Sequence, residues 1–190
     1  MGSDNPSGAG NQQERPGIEQ WIVGFVDGEG CFSISVVRNP VCRLGWQVQH
    51  EFSVTQAASS RDALELLVEV FRCGYVIENA RHDNHREPLL RFSVKRRADL
   101  LRVVVPFFEE HPLRTAKRQD FERFVSVLQF MEAGGHRSEE GVAVIARVTE
   151  NSCWTCQPSR HPGLRTTEIE KQPSPSTKPT IHCSIPGLSC

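Results

Sequence analysis

The sequence predicts an α+β fold in which a four-stranded antiparallel sheet carries helices on one face. Two pairs of segments alternate apolar and polar residues, as half-buried strands do. Segments with apolar residues at helical spacing precede, separate and follow these pairs. The 190 residues suffice for one domain with a core, and no internal repeat is visible.

The first helix is predicted to begin near Pro16, because a missing N–H costs nothing in the first turn of a helix. Apolar residues then recur at helical spacing from Ile18 to Val26. The helix must end within residues 27–30, since two glycines in three positions break it.

Two hairpins and further helices follow. Residues 31–38 and 46–56 alternate as strands on either side of the turn that Asn39-Pro40 begins. A capping box at 59–62 predicts a helix that Gly74 ends. The remaining predictions are strands at 75–79 and 89–94, a helix over 97–105 that stops at Pro106, a helix over 116–131 and a short helix over 139–149.

The chain is predicted to be organised as a disordered leader (1–15), a folded domain (16–151) and a disordered tail (152–190). The leader is polar. Six of the twelve prolines lie between Pro158 and Pro186, where large apolar residues are sparse. Cysteines and histidines of the tail do not have standard zinc-site spacing, and the second Cys pair is missing. The tail residues that could form half of a zinc site are Cys153, Cys156, His161, His182 and Cys183.

Composition narrows the function classes. No apolar run approaches the roughly 20 residues of a membrane span, and the N-terminus does not read as a secretory signal. We therefore expect a protein of the bacterial cytoplasm or of an organelle, not a secreted one, with its seven cysteines reduced. The net charge of −1 gives nucleic-acid binding no support. Residues 81–123, however, hold 11 Lys/Arg against 7 Asp/Glu.

Residues 21–32, WIVGFVDGEGCF, are the most informative segment. An apolar helix that carries the small residue Gly24 ends in the string DGEG at 27–30, and a strand follows at once. Ordinary helix capping is one explanation of this segment taken alone. A dinucleotide-binding loop is excluded, because these glycines end a helix before a strand instead of opening a helix after one.

This segment resembles the signature of the LAGLIDADG homing endonucleases, and the resemblance extends over residues 19–131 in the order of elements. Other strings resemble further parts of that family: FSVTQ at 52–56, GYV at 74–76, PLRTAKRQDF at 112–121, and residues 136–151, which resemble the C-terminal helix of some bacterial members. The resemblance implies the family's αββαββα fold with a saddle-shaped sheet.

The resemblance also implies an activity, which is site-specific hydrolysis of phosphodiester bonds in a long, near-palindromic duplex DNA. Mg²⁺, or another divalent metal such as Mn²⁺, is the implied cofactor, because hard cations take oxygen ligands. One motif copy per chain implies a homodimer through helix 18–28, and a two-fold protein reads a near-palindromic site.

Site residues carry over by position in the motif. Glu29 matches the metal-binding acid, which is Asp in many members, and the Gly28 carbonyl matches a second metal contact. Asp27 matches a mainly structural residue and is kept as a secondary candidate.

Two further positions match polar and basic residues of the family's active site. Gln56 matches a residue beside the scissile phosphate that helps to hold water, although a solvated strand-end glutamine is equally plausible. Lys117 matches the basic residue that polarises the phosphate or activates water. Arg118 is the alternative to Lys117, because the local register is uncertain by one residue, and either could be an ordinary surface charge.

The polar sides of the predicted strands give a DNA-reading hypothesis, since a twisted sheet fits the major groove. A merely hydrated face is the alternative at any single position. Lys95, Arg96 and Arg97 suit phosphate contacts. The proposed DNA-binding residues are Ser33, Ser35, Val37, Asn39, Gln47, Gln49, Glu51, Ser53, Tyr75, Ile77, Asn79, Arg81, Arg91 and Ser93.

Three other functions stay open on the same fold. A nuclease-inactive DNA-binding regulator would be expected to lose the motif acids, whereas Asp27 and Glu29 are both present. An intron RNA-splicing maturase, which would bind intron RNA, cannot be separated on the sequence. A decayed, inactive copy is the third.

Overall fold

A computed structural model describes residues 17–79 and 87–150. The predicted leader, tail, zinc-site residues and Arg81 therefore lie outside the described residues. The predicted order of elements is confirmed: α1 (Ile18–Glu29), β1 (Gly30–Arg38), β2 (Trp46–Ala57), α2 (Arg61–Phe71), β3 (Tyr75–Asn79), β4 (Leu89–Val94), α3 (97–110), α4 (Lys117–Glu132) and α5 (Glu139–Glu150). None of the helices in this described part is long and apolar enough to cross a membrane.

The four strands form one antiparallel sheet in the order β1-β2-β4-β3, which confirms the predicted fold class. Alternate strand residues, such as Phe32, Phe52 and Phe92, are buried against the helices on what we call the inner face. The Phe32 and Phe52 rings stack with 4.9 Å between centroids, and Phe108 of α3 meets both edge-on. The aromatic core thus fixes which strand residues point outward, on the outer face.

The helix α3 departs from prediction, because it does not end before Pro106. It runs on to Glu110, and its middle turn, Leu100–Val104, is π-helical. Proline lacks an N–H and its ring crowds the preceding turn, and a locally widened turn is a common way for a helix to accommodate such a disruption. The prediction that Pro106 stops the helix was therefore wrong.

The caps of α2 also differ from prediction. Ser60 makes no side-chain capping bond, and a short 3-10 turn, Ala58–Ser60, leads into the helix instead. The helix ends at Phe71 with Arg72 in the left-handed conformation (φ 50°). Gly74 follows with φ 82°, where an added Cβ would lie 2.7 Å from the Phe92 ring. Gly74 therefore serves the close approach to β4 as well as the turn.

Candidate functional site

Glu29 is the last residue of α1, and β1 begins at the next residue. The turn out of the helix is tight: the Gly30 N–H bonds the Val26 carbonyl, and a Cβ on Gly30 would lie 2.5 Å from Val26 Cγ1. Glu29 is exposed and has no hydrogen-bond or ion-pair partner within residues 17–79 and 87–150. Its carboxylate belongs to the C-terminal turn of α1, whose last carbonyls lack partners within the helix.

Lys117, the first residue of α4, reaches this same helix end. Its Nζ lies 3.4 Å from the Gly28 carbonyl oxygen and also donates to the Gly30 carbonyl oxygen. A cation at a helix C-terminus complements the partial negative charge there. The structure thus brings together Gly28, Glu29 and Lys117, which the sequence spreads over 89 positions.

Arg118 is directed elsewhere. Its Nε bonds Glu122 Oε1 at 3.0 Å in an exposed i,i+4 pair on α4. Of the two basic residues that the sequence left open, Lys117 is the one beside the acidic end of α1.

Asp27 ties the end of α1 to the segment before α4. One carboxylate oxygen accepts the Arg114 N–H at 2.9 Å, and the other accepts the Thr115 hydroxyl at 2.8 Å and the Thr115 N–H at 3.3 Å. Both oxygens are therefore engaged in hydrogen bonds within the chain.

Gln56 is the penultimate residue of β2 and is half-buried. Gly30 pairs with Val54, so Gln56 lies on β2 two residues past the start of β1 and on the same side of the strand as Val54. Leu90 of β4 pairs with it on the other flank. Its place is compatible with a role beside Glu29.

Oxygen donors at the end of α1 suit a hard divalent cation, since one carboxylate and one backbone carbonyl lie together there. No group of three or more His, Cys, Asp or Glu side chains that could hold a metal occurs in the described parts, 17–79 and 87–150. Glu29 and the Gly28 carbonyl are the oxygen donors that one chain offers at the end of α1.

The strand register places the predicted DNA-binding residues of β1, β2 and β4, and Tyr75 and Ile77 of β3, on the outer face. Ser33, Ser35 and Val37 face Glu51, Gln49 and Gln47 across β1 and β2, and Ser53, Ser93 and Tyr75 form a row across β2, β4 and β3, with Ile77 facing Arg91. Gln47 and Gln49 are exposed, and Tyr75 and Ile77 are 45% and 41% exposed. Asn79 is the last residue of β3.

Some side chains of the outer face are buried or bonded to one another. Ser93 is fully buried and donates a 2.6 Å hydrogen bond to Glu51 Oε1, and Ser53 is 5% exposed. Arg91 Nη1 and Lys95 Nζ lie 3.7 and 3.9 Å from the Glu51 carboxylate oxygens. The structure therefore does not present Ser53 and Ser93 at the surface, and Glu51 already has partners.

Other predicted contact residues are also paired. Asn39 Nδ2 donates to Gln47 Oε1 at 2.8 Å, and Asn39 Oδ1 accepts the Val41 N–H in the turn between β1 and β2. Arg96 lies 3.8 Å from Asp99, whereas Arg97 bonds Glu132 of α4 at 2.8 Å. Of the three basic residues at 95–97, Lys95 and Arg96 are exposed.

Sequence reasoning missed two residues. Thr55 shares the outer face and pairs with Arg91, which the alternation of β2 was sufficient to show. Thr115 joins Asp27 to Lys117, and no local pattern signals a contact between positions 87 residues or more apart.

Two histidines outside this group have perturbed titration. Burial lowers the pKa of His50 below its ordinary value, and the charges of Arg97 and His136 lower it further. Burial likewise lowers the pKa of His136, with Arg97 and Arg137 acting in the same direction. The Nδ1 atoms of both rings are buried, and neither has a hydrogen-bond partner in the part of the chain that the structure describes. The folded protein therefore favours two neutral imidazoles.

The side of α1 away from the core is apolar and open. Ile18 and Trp21 are 40% and 38% exposed, and Trp21 stacks on Phe25 at 4.9 Å. A Cβ added at Gly24 or Gly28 would meet nothing within 4 Å. This stripe recurs at helical spacing, and no residue within 17–79 or 87–150 covers it.

Comparison with known proteins points to one family. The family model described as "LAGLIDADG endonuclease" matches residues 22–128. "Probable intron-encoded endonuclease 2" of Neurospora crassa is 29% identical over 135 residues, which is 70% of this chain and 29% of that protein. The chain thus spans less than a third of the length of that curated relative.

Solved structures agree with this match. The crystal structure of the homing endonuclease I-TnaI is 36% identical with a TM-score of 0.67, covering 80% of this chain and 95% of that one. The I-LtrWI LAGLIDADG homing endonuclease bound to target DNA is 27% identical with a TM-score of 0.65, covering 79% of this chain and 47% of that one.

Proposed function

This chain belongs to the LAGLIDADG endonuclease family, and from that premise we propose that it is a homing endonuclease that hydrolyses phosphodiester bonds in a long, near-palindromic duplex. The observation that carries the proposal is the meeting of Gly28, Glu29 and Lys117 at one helix end. That end lies where β1 enters the sheet, and the I-LtrWI relative is a structure bound to target DNA.

The residues at this end have complementary roles in the proposal. The Glu29 carboxylate and the Gly28 carbonyl would hold a divalent cation, Mg²⁺ or Mn²⁺, which when bound activates water and stabilises the leaving oxygen. The Lys117 ammonium stabilises the negative charge that develops on the phosphate in the transition state. Gln56, which lies on β2 two residues past the start of β1, orients the attacking water.

A homodimer completes the site. Each chain supplies the Glu29 carboxylate, which has no partner among the described residues, and the Gly28 carbonyl. The open stripe of α1 supplies an apolar surface with two glycines where helices can approach closely. Packing two copies of α1 would bring the two Glu29 residues together on the two-fold axis. That symmetry requires a near-palindromic DNA site.

DNA is read by the outer face in this proposal. Gln47 and Gln49 are exposed and can bond adenine, and the exposed Ile77 can contact a thymine methyl group. Arg91, held beside Glu51, can bond guanine. Lys95 and Arg96 suit the phosphate backbone. Since its relatives include intron-encoded proteins, we propose that the chain acts where its host intron resides, in a bacterial cytoplasm or an organelle.

The test incubates purified protein with a randomised library of duplex DNA, with Mg²⁺ or with EDTA, and sequences the cut ends. We expect Mg²⁺-dependent cleavage at a near-palindrome, and we expect Glu29→Gln to abolish it while duplex binding persists. Glu122→Gln, which removes another exposed acid, is the control. Binding to one duplex or to intron RNA without cleavage would instead indicate a regulator or a maturase, and neither activity would indicate a decayed copy.

A further inference from the structure

We propose that Asp27 and Thr115 are positioning residues that set the Lys117 ammonium against the end of α1. The inference rests on the proposed nuclease activity and deepens it. Asp27 accepts three hydrogen bonds from residues 114 and 115, at 2.8 to 3.3 Å. A carboxylate with that many donors fixes the segment that it binds, because hydrogen bonds to a charged group are stronger than neutral ones.

Thr115 connects the Asp27 carboxylate to the first turn of α4. Its hydroxyl donates to Asp27 and accepts the Lys117 N–H at 3.2 Å. Ala116, at the N-cap position, offers no side-chain cap, so the Thr115 oxygen satisfies one of the free N–H groups in the first turn of α4. One hydroxyl therefore bridges the end of α1 and the backbone of the lysine.

The Lys117 side chain returns to the end of α1, the same helix end that carries Asp27. From a backbone held by Thr115, Lys117 Nζ reaches back to the carbonyls of Gly28 and Gly30, next to Asp27 in the chain. A lysine has a flexible four-carbon stem, and its ammonium is well placed only when the start of that stem is fixed. Misplacing a reacting group by about 1 Å can lower a rate about 100-fold.

Asp27 itself has no part in the chemistry under this assignment. Both of its oxygens are engaged within the chain, whereas the Glu29 carboxylate has no partner in the described parts of the chain. The two acids of the motif thus have separate tasks, and loss of Asp27 should act only through Lys117.

A double-mutant cycle tests this dependence. Asp27→Asn and Thr115→Val are made in the wild type and in Lys117→Ala, with Thr115→Ser as the conservative variant. Ser126→Ala is the control, because it removes a hydroxyl that bonds a carbonyl on the same helix. Single-turnover cleavage of a duplex recovered from the randomised library is measured with Mg²⁺. Duplex binding is measured in EDTA, and hydrogen exchange over residues 112–118 is measured by mass spectrometry.

We expect Asp27→Asn and Thr115→Val each to lower the cleavage rate constant about 10- to 100-fold with duplex affinity unchanged. In the Lys117→Ala background neither substitution should lower the cleavage rate constant further, because both act through the Lys117 side chain, which is absent there. Both should speed hydrogen exchange over 112–118. Thr115→Ser should restore the rate, and Ser126→Ala should not change it.

Equal losses with and without Lys117 would overturn the positioning role, as would unchanged rates in Asp27→Asn and Thr115→Val. In both cases the wild type still cleaves, so the proposed nuclease survives. A wild type that cuts no duplex in the library overturns both proposals.

Discussion

The Ser93 hydroxyl donates a 2.6 Å hydrogen bond to the Glu51 carboxylate across β2 and β4, on the side of the sheet that faces away from the core. Ser93 is fully buried, although the alternation of β4 alone assigns it to a polar surface. The Glu51 carboxylate also has Arg91 within 3.7 Å, so the three side chains form one group. This part of the outer face is held together before any ligand binds.

Ser93→Ala should destabilise the fold. It removes the donor to a largely buried carboxylate oxygen, and we expect the free energy of unfolding to fall by about 1–3 kcal/mol. Ser35→Ala, a half-buried position of the same face, is the matched control and should change it by about 0.5 kcal/mol or less. Urea unfolding measures both. Equal effects of the two substitutions would contradict a special contribution from the Ser93 bond.

Stability should fall when the pH is lowered below the ordinary pKa of histidine. Burial lowers the pKa of His50 and of His136 in the folded state, so the unfolded chain binds protons at a higher pH than the folded chain. The contribution of the neutral imidazoles is complete above about pH 6.5 and is lost as the pH falls toward the folded pKa values.

Urea unfolding between pH 8 and pH 5 measures this loss. The double variant His50→Gln/His136→Gln should show a shallower decline than the wild type across that window. Parallel curves would mean that the two histidines titrate alike in the folded and unfolded states.

Gly24→Leu should weaken the proposed dimer without unfolding the chain. A Cβ at Gly24 meets nothing within 4 Å in one protomer, and leucine favours a helix more than glycine does. Overpacking a close helix interface costs about 1–3 kcal/mol, so we expect the dimer Kd to rise about 5- to 150-fold.

Sedimentation equilibrium measures the dimer Kd, and circular dichroism checks the fold. Glu69→Leu adds the same side chain to an exposed position of α2 and should leave the Kd unchanged. A wild type that stays monomeric at all concentrations would refute the dimer.

Lys117→Ala and Arg118→Ala should differ in their effect on cleavage, although the residues are neighbours. Lys117 reaches the carbonyls at the end of α1, and its loss should lower the cleavage rate constant about 100- to 1000-fold. Within the described residues Arg118 forms an exposed pair with Glu122, and its loss should leave the rate constant within about threefold. Single-turnover assays compare the two, and the opposite ranking would move the basic role to Arg118.

Local patterns predicted most of the fold and the place of Glu29 at the end of the first helix. The alternation in β1 and β2 and the glycines after Val26 fixed the strands, the helix end and the placement of Glu29, because these features depend on neighbours in sequence. The polar side of each strand was also correctly assigned, as the register shows.

Features that depend on distant contacts were not predictable. The burial of Ser93 requires Glu51 from another strand, and the bond of Asp27 to Thr115 joins positions 88 residues apart. Continuation of α3 through Pro106 depends on the π-helical turn before it, which no propensity rule indicates. The choice between Lys117 and Arg118 likewise needed the packing of α4 against the end of α1.

Because β1 begins at the residue directly after α1, the distance from Glu29 to each residue of β1 is set by the chain itself. Strand residues advance about 3.3 Å each, close to the roughly 3.4 Å that each nucleotide of one DNA strand advances along the helix axis. Ser33 and Ser35 are therefore set about 10 and 17 Å along the strand from Gly30, the residue that follows Glu29. If Glu29 and β1 have the proposed roles, the number of residues between them determines the spacing between the bond that is cut and the bases that β1 contacts. Substitutions at positions 33 and 35 would then change which bases are preferred while the cut stays in place.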